Sequence, residues 1–106
     1  MIALTLTLAL AFGGESSPPN SPENAAARRA LIVCVERAAT RLERSREAAN
    51  IVADAAIIAC RVERANFIRL AGGDDWRYER AIMSKLDEHL RQLAQARVVT
   101  IRADRP

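Results

Sequence analysis

Apolar residues recur at helical spacing through most of the chain. Ala27, Leu31, Cys34/Val35, Ala38 and Leu42 follow the three-and-four-residue steps that line one face of an α-helix. Ser21-Pro22-Glu23 reads as the start of that helix: Ser as N-cap, Pro at the first helical position and an acid in the first turn. The pattern gives way at Glu43-Arg44-Ser45-Arg46-Glu47, all polar, where Ser45 is the expected cap of a second helix. That helix is predicted from about Ala48 to Ala71, ending at Gly72-Gly73, a favoured stop. Its first half, Ile51 to Cys60, is apolar nearly all round, which predicts a central position. A third helix is expected to start near Asp74-Asp75 and to keep a heptad. Trp76, Met83 and Leu90 form one column, Leu86 and Leu93 the other, with Ile82 alongside.

The first residues follow a different period. Ile2, Leu4, Leu6, Leu8, Leu10 and Phe12 alternate with Ala and Thr, and Gly13-Gly14 and a Ser/Pro/Asn stretch follow. Two readings fit. An apolar core with small residues after it is a secretory leader pattern, and Ala9/Ala11 and Ala11/Gly13 supply the small side chains a signal peptidase reads. The run lacks a preceding Lys or Arg, and strict alternation is also a strand signal, with Val98-Val99-Thr100-Ile101 as the partner. As a helix the run would reach about 17 Å against a bilayer core of about 30 Å, so it is not a membrane span. The leader is the preferred reading. The expected organisation is a signal peptide over 1–13, a flexible linker over 14–24 and a three-helix domain over 25–106.

Cys34 and Cys60 are centred on residue 47, inside the polar turn. In an antiparallel hairpin each lies about 20 Å from the bend, so they face each other at one level. A disulfide between them would stabilise the domain by about 3.5 kcal/mol on the loop-entropy model. The other reading is two independently buried small hydrophobes. Export favours the disulfide, since such bonds belong to oxidising compartments. The fold expected is therefore all-α, a disulfide-linked antiparallel helical hairpin with a third amphipathic helix laid across it.

A leader, a Cys in one helix, the turn Ser45-Arg46-Glu47 and the stretch VADAAIIAC at Val52–Cys60 together resemble small exported two-Cys helical proteins of alphaproteobacteria. The resemblance covers roughly residues 30–65. It implies an exported location and a helical fold, and brings no activity with it.

Composition sharpens this picture. Half of the 106 residues are hydrophobic, yet only 4% are aromatic; alanine accounts for 21 residues, which favours closely packed helices. Net charge is +3, and the basic side is 15 Arg to one Lys. The excess sits in residues 25–47, six Arg against three Glu. Arg37, Arg41 and Arg44 fall on one face, with Arg46 just beyond. One reading is an anion-binding stripe for an envelope surface, an acidic protein or nucleic acid. The other is a solvated face balanced by Glu79, Asp87 and Glu88 of the third helix. Acids interspersed among the arginines weigh against nucleic acid.

Little else bears chemistry. One His excludes H-E-x-x-H, the cysteines form no C-x-x-C, and Gly72-Gly73 lacks the rest of a phosphate loop. His89 follows Asp87-Glu88 but belongs with Leu86, Leu90 and Leu93, and reads as a helical surface His; a Cys34/Cys60/His89 metal site has no spacing rule behind it. No catalytic residue, metal or cofactor is expected. Phe67, Trp76 and Tyr78 flank the glycine turn. They either plug the open end of the hairpin or, with Arg77 between Trp76 and Tyr78, form a partner patch.

The function expected is a structural or protein-binding role in the cell envelope, periplasmic or secreted, with an unknown protein partner or self-association through Leu86, Leu90 and Leu93. The alternative is a cytosolic Arg-rich helical regulator that binds nucleic acid or an acidic partner.

Overall fold

The structure, a computed structural model, describes residues 21–72 and 76–105. Four helices follow one another: α1 (Pro22–Leu42), α2 (Ala49–Ala59), α3 (Arg61–Gly72) and α4 (Trp76–Ala103), with a 3-10 turn over Glu43–Ser45. No strand occurs among the described residues. The apolar run Ile2–Phe12, most of the linker and the Gly73-Asp74-Asp75 junction lie outside them. Val98-Val99-Thr100-Ile101 lies inside and is helical, so this stretch is the end of α4 and not a strand.

α1 starts as its sequence dictates. Ser21 Oγ accepts the Asn24 N–H at 3.1 Å, Pro22 leads the helix and Glu23 sits in its first turn. Its buried face carries Asn24, Ala27, Leu31, Val35, Ala38 and Ala39. α4, at about 1.5 Å per residue the longest element, packs against α1, α2 and α3. The core is Leu31, Val35, Ala38 and Ala39 of α1, Val52, Ala53, Ala56 and Cys60 at α2, and Leu90, Ala94 and Val98 of α4. Five of these eleven side chains are alanine, so the helices close by approach and not by interlocking bulk.

Four expectations are corrected. The second helix is two, because Cys60 leaves helical geometry at φ −104°, ψ 25° and its N–H bonds Ile57 O at 3.1 Å, one residue short of the α-helical partner. Neither Pro nor Gly stands there; the residue at the break is the one drawn toward α1. Cys34 and Cys60 lie at disulfide distance, with Cα atoms 5.9 Å apart.

Ser45 does not cap α2. It belongs to the 3-10 turn, its hydroxyl accepts the Glu47 N–H at 3.4 Å, and the position before α2 is Ala48, with no side-chain cap. The turn is closed by Arg46 in the left-handed region at φ 66°, a conformation that costs a non-glycine residue about 1 kcal/mol.

α2 is not central. Val52, Ala53 and Ala56 are buried while Ile51 and Ile58 are 50% and 65% exposed, because the other helices cover one face only.

Finally, the buried stripe of α4 is not the heptad. It is the four-residue row Leu86, Leu90, Ala94, Val98, with Met83 exposed. Of the row expected to self-associate, Leu90 is fully buried and Leu86 packs on the core, while Leu93 is partly exposed.

One acid enters the interior. Glu43 is 2% exposed and receives Arg105 through a guanidinium hydrogen bond to Oε1, while Arg102 Nε stands 3.8 Å from Oε2. Arg102 also donates to the Glu43 carbonyl at 2.9 Å, placing a cation at the C-terminal end of α1, where the helix dipole favours one. Two further ties bind α4 to its neighbours. Arg64 of α3 grips Asp87 through two 2.7 Å bonds, and Arg91 reaches Asp54 of α2 at 2.9 Å. The Asp87 hydrogen bond holds the Arg64 guanidinium more firmly protonated than usual, and Asp54 does the same for Arg91.

Four stability outcomes follow, each read by urea denaturation. Leu90→Ala lowers stability by about 2–5 kcal/mol, the cost of an unfilled core site. Removing Arg102 and Arg105 together costs about 3–5 kcal/mol, since the Glu43 carboxylate is then buried alone. Glu43→Gln costs less, because the two arginines it releases remain open to water. Arg46→Gly raises stability by about 0.5–1 kcal/mol by relieving the left-handed backbone.

Candidate functional site

Arg37 and Arg41 stand one helical turn apart on the outer face of α1 and are exposed. They form a ridge between two depressions. The first, about 400 Å³, lies toward α4 and is lined by Val33, Glu36, Thr40 and Arg97 beside the two arginines. The second, about 520 Å³, lies toward the α2–α3 junction and includes Ala38, Ala59, Glu63 and the cysteine pair. Arg44 and Arg46 line neither. The helical spacing that joined Arg44 to the stripe ends at Leu42, where the 3-10 turn begins.

The groove gains a residue from elsewhere in the chain. Arg97 of α4 donates from Nε to Thr40 Oγ1 at 3.2 Å, and the Thr40 hydroxyl donates in turn to Glu36 O at 2.8 Å. This chain fixes the Arg97 guanidinium by one edge and leaves its two terminal nitrogens for a ligand. Arg37, Arg41 and Arg97 thus converge from two helices, which sequence spacing along one helix does not disclose.

The acids expected to balance the stripe are engaged otherwise or stand apart. Asp87 is held by Arg64, and Glu43 is turned inward to Arg102 and Arg105. Glu88 is exposed on α4, and the side chain of Glu79 lies outside the described residues. Among the described residues, Arg37, Arg41, Arg44 and Arg46 form no ion pair. Glu36 and Glu63 at the groove edges moderate the field without closing on the arginines.

Cys34 is half-buried and Cys60 fully buried, both facing the second depression. Arg77 is exposed on the first turns of α4, whereas the side chains of Trp76 and Tyr78 lie outside the described residues, as therefore does the patch they would form. Phe67 packs against the core from α3. His89 is exposed on α4. Among the described residues no group of His, Cys, Asp and Glu is placed to hold a metal ion, and no helix is long and apolar enough to cross a membrane.

No protein-family model, curated protein or solved structure matches the chain. The groove must therefore be read from its own chemistry. Three guanidiniums around a concave surface with an apolar floor at Val33 suit carboxylates or phosphates. Arg97→Ala should cost less than about 1 kcal/mol in folding, since its hydrogen bond is exposed. Thermal unfolding of that variant checks that the residue is spare to the fold and available to a ligand.

Proposed function

We propose that this chain is a small exported helical protein of the cell envelope that acts by binding an acidic partner, protein or anionic surface, through Arg37, Arg41 and Arg97. The observation that carries the reading is the convergence of these guanidiniums without an ion-pair partner among the described residues. An exposed arginine row repels itself by a few tenths of a kcal/mol per pair, and an acidic ligand removes that cost.

Export rests on the apolar leader with its small residues at Ala9, Ala11 and Gly13. It is supported by the cysteine pair, whose proposed covalent bond would staple an antiparallel hairpin and whose home is an oxidising compartment. The kinship with small exported two-Cys alphaproteobacterial proteins belongs to the same proposal. Binding by an Arg-rich regulator in the cytosol is the second reading, favoured by the spread of the groove over two helices, which matches a phosphate backbone as well as a carboxylate surface.

Two measurements test the proposal. The intact mass of protein recovered from cells should correspond to cleavage after Ala11 or Gly13, and should rise by two hydrogens on reduction. A full-length chain with free thiols defeats export. On a polyglutamate column, retention at low salt should be lost on Arg37→Ala/Arg41→Ala and should fall steeply as salt rises. Retention that the double variant leaves unchanged defeats the groove. Preferential retention on duplex DNA would move the assignment to the second reading.

A further inference from the structure

The depression toward the α2–α3 junction has the cysteine pair in its wall. A disulfide that serves only as a staple is protected when other side chains close over it. Here Cys34 is half-buried and borders an open space of about 520 Å³, whereas Cys60 is fully buried. A small reagent therefore meets the pair from the Cys34 side. Which sulfur can be reached is one of the factors that direct thiol–disulfide exchange.

The charged side chains that line this depression are Arg37, Arg41 and Glu63. Arg37 and Arg41 follow Cys34 by three and seven residues and share its face of α1. Both are exposed and outside every ion pair among the described residues. Glu63 offsets one of them, so a positive charge is left over. Arg61, next to Cys60, is exposed and lines neither depression; Arg64 is tied to Asp87. Guanidiniums beside a cysteine favour its thiolate, and they also hold carboxylates. Cys60 has a second source of stabilisation. It stands just before α3, and its carbonyl accepts the Arg64 N–H at 3.0 Å, so a thiolate there meets the positive end of the helix.

We infer that Cys34 and Cys60 form an exchange site for small thiols that carry a carboxylate, with Cys34 as the sulfur attacked. The inference rests on the covalent pair proposed above and not on export. The incoming thiol leaves its proton to water, and its thiolate forms a bond to Cys34 Sγ. The Cys34–Cys60 bond breaks, and Cys60 departs with the electron pair as a thiolate at the start of α3, where it takes a proton from water. A second thiolate attacks the sulfur of the first, and Cys34 departs as a thiolate beside Arg37 and Arg41. Two small thiols are thereby oxidised to their disulfide, and the protein disulfide is reduced to two thiols. Run backwards, the same steps oxidise the protein.

The probes are mercaptoacetate and the uncharged 2-mercaptoethanol, with reduction of the full chain followed by mass after acid quenching and rates compared per thiolate. Mercaptoacetate should react about three- to tenfold faster at low salt. That lead should vanish at high salt and in Arg37→Ala/Arg41→Ala, and Glu63→Gln should widen it about two- to threefold. Proteolysis of the quenched samples should place the mixed disulfide on Cys34. Leu90→Ala, which weakens the whole fold, should change the rate by less than about threefold, because exchange in the folded protein does not wait for unfolding. Equal rates for the two thiols overturn the proposal, as does a mixed disulfide on Cys60. So does a rate that rises in proportion to the full loss of stability in Leu90→Ala. Protein isolated with free thiols is tested from the reduced side, with the disulfides of the same two probes and the same criteria. Retention on polyglutamate is a separate reading, so a failure here is distinguishable from a failure of the groove.

Discussion

The closeness of α1 to the α2–α3 junction is the constraint on which this fold turns. Cα atoms 5.9 Å apart at Cys34 and Cys60 hold the two elements together, and Ala30, Ala38 and Ala59 stand beside the pair among larger residues. Alanine also fills five of the eleven core positions, where it lets the helices approach. It has a cost, since alanine buries little apolar surface, and a core in which Leu31 and Leu90 are the fully buried leucines among the described residues yields modest stabilisation. A cysteine pair at disulfide distance and charge pairing at the helix ends are the natural supplements for a domain of this size.

Much of this was legible in the chain. Ser21 and Pro22 marked the start of α1, and its buried positions followed the apolar period, because a cap and a 3.6-residue repeat are local signals. The equal distances of Cys34 and Cys60 from the turn placed them at one level. What was not legible depended on other helices. Nothing near Cys60 spells a break; it follows from the approach of α1. Arg97 joins Arg37 and Arg41 only because α4 lies beside Thr40, and Asp87 is withdrawn from balancing them because α3 presents Arg64. The all-round apolarity of α2 was read as burial, whereas half of that surface faces outward.

That misreading is informative. A helix apolar on every side, in a chain too small to wrap it, has more hydrophobic surface than its own fold consumes. The remaining surface is organised, since Ile51, Ala55 and Ile58 keep one face of α2. On α1 the pattern is inverted, with arginines where a solvated helix would mix both signs. The protein thus offers two faces of different chemistry, one apolar, the other cationic.

Two buried rows, read together, fix how far α4 can slide. On α1 the row Leu31, Val35, Ala39 steps next to Glu43, and on α4 the row Leu90, Ala94, Val98 steps next to Arg102. Both apolar rows end in charge, and of opposite sign. A slip of α4 by a single turn, about 5.4 Å, would set Val98 against the carboxylate or carry Arg102 beyond it. Either disturbs the pairing of Glu43 with Arg102 and Arg105 in a place water does not reach. Alanine-rich helices are smooth and could otherwise glide past one another at small cost. The charge at the end of each row works as a ratchet stop, giving a featureless interface a single alignment.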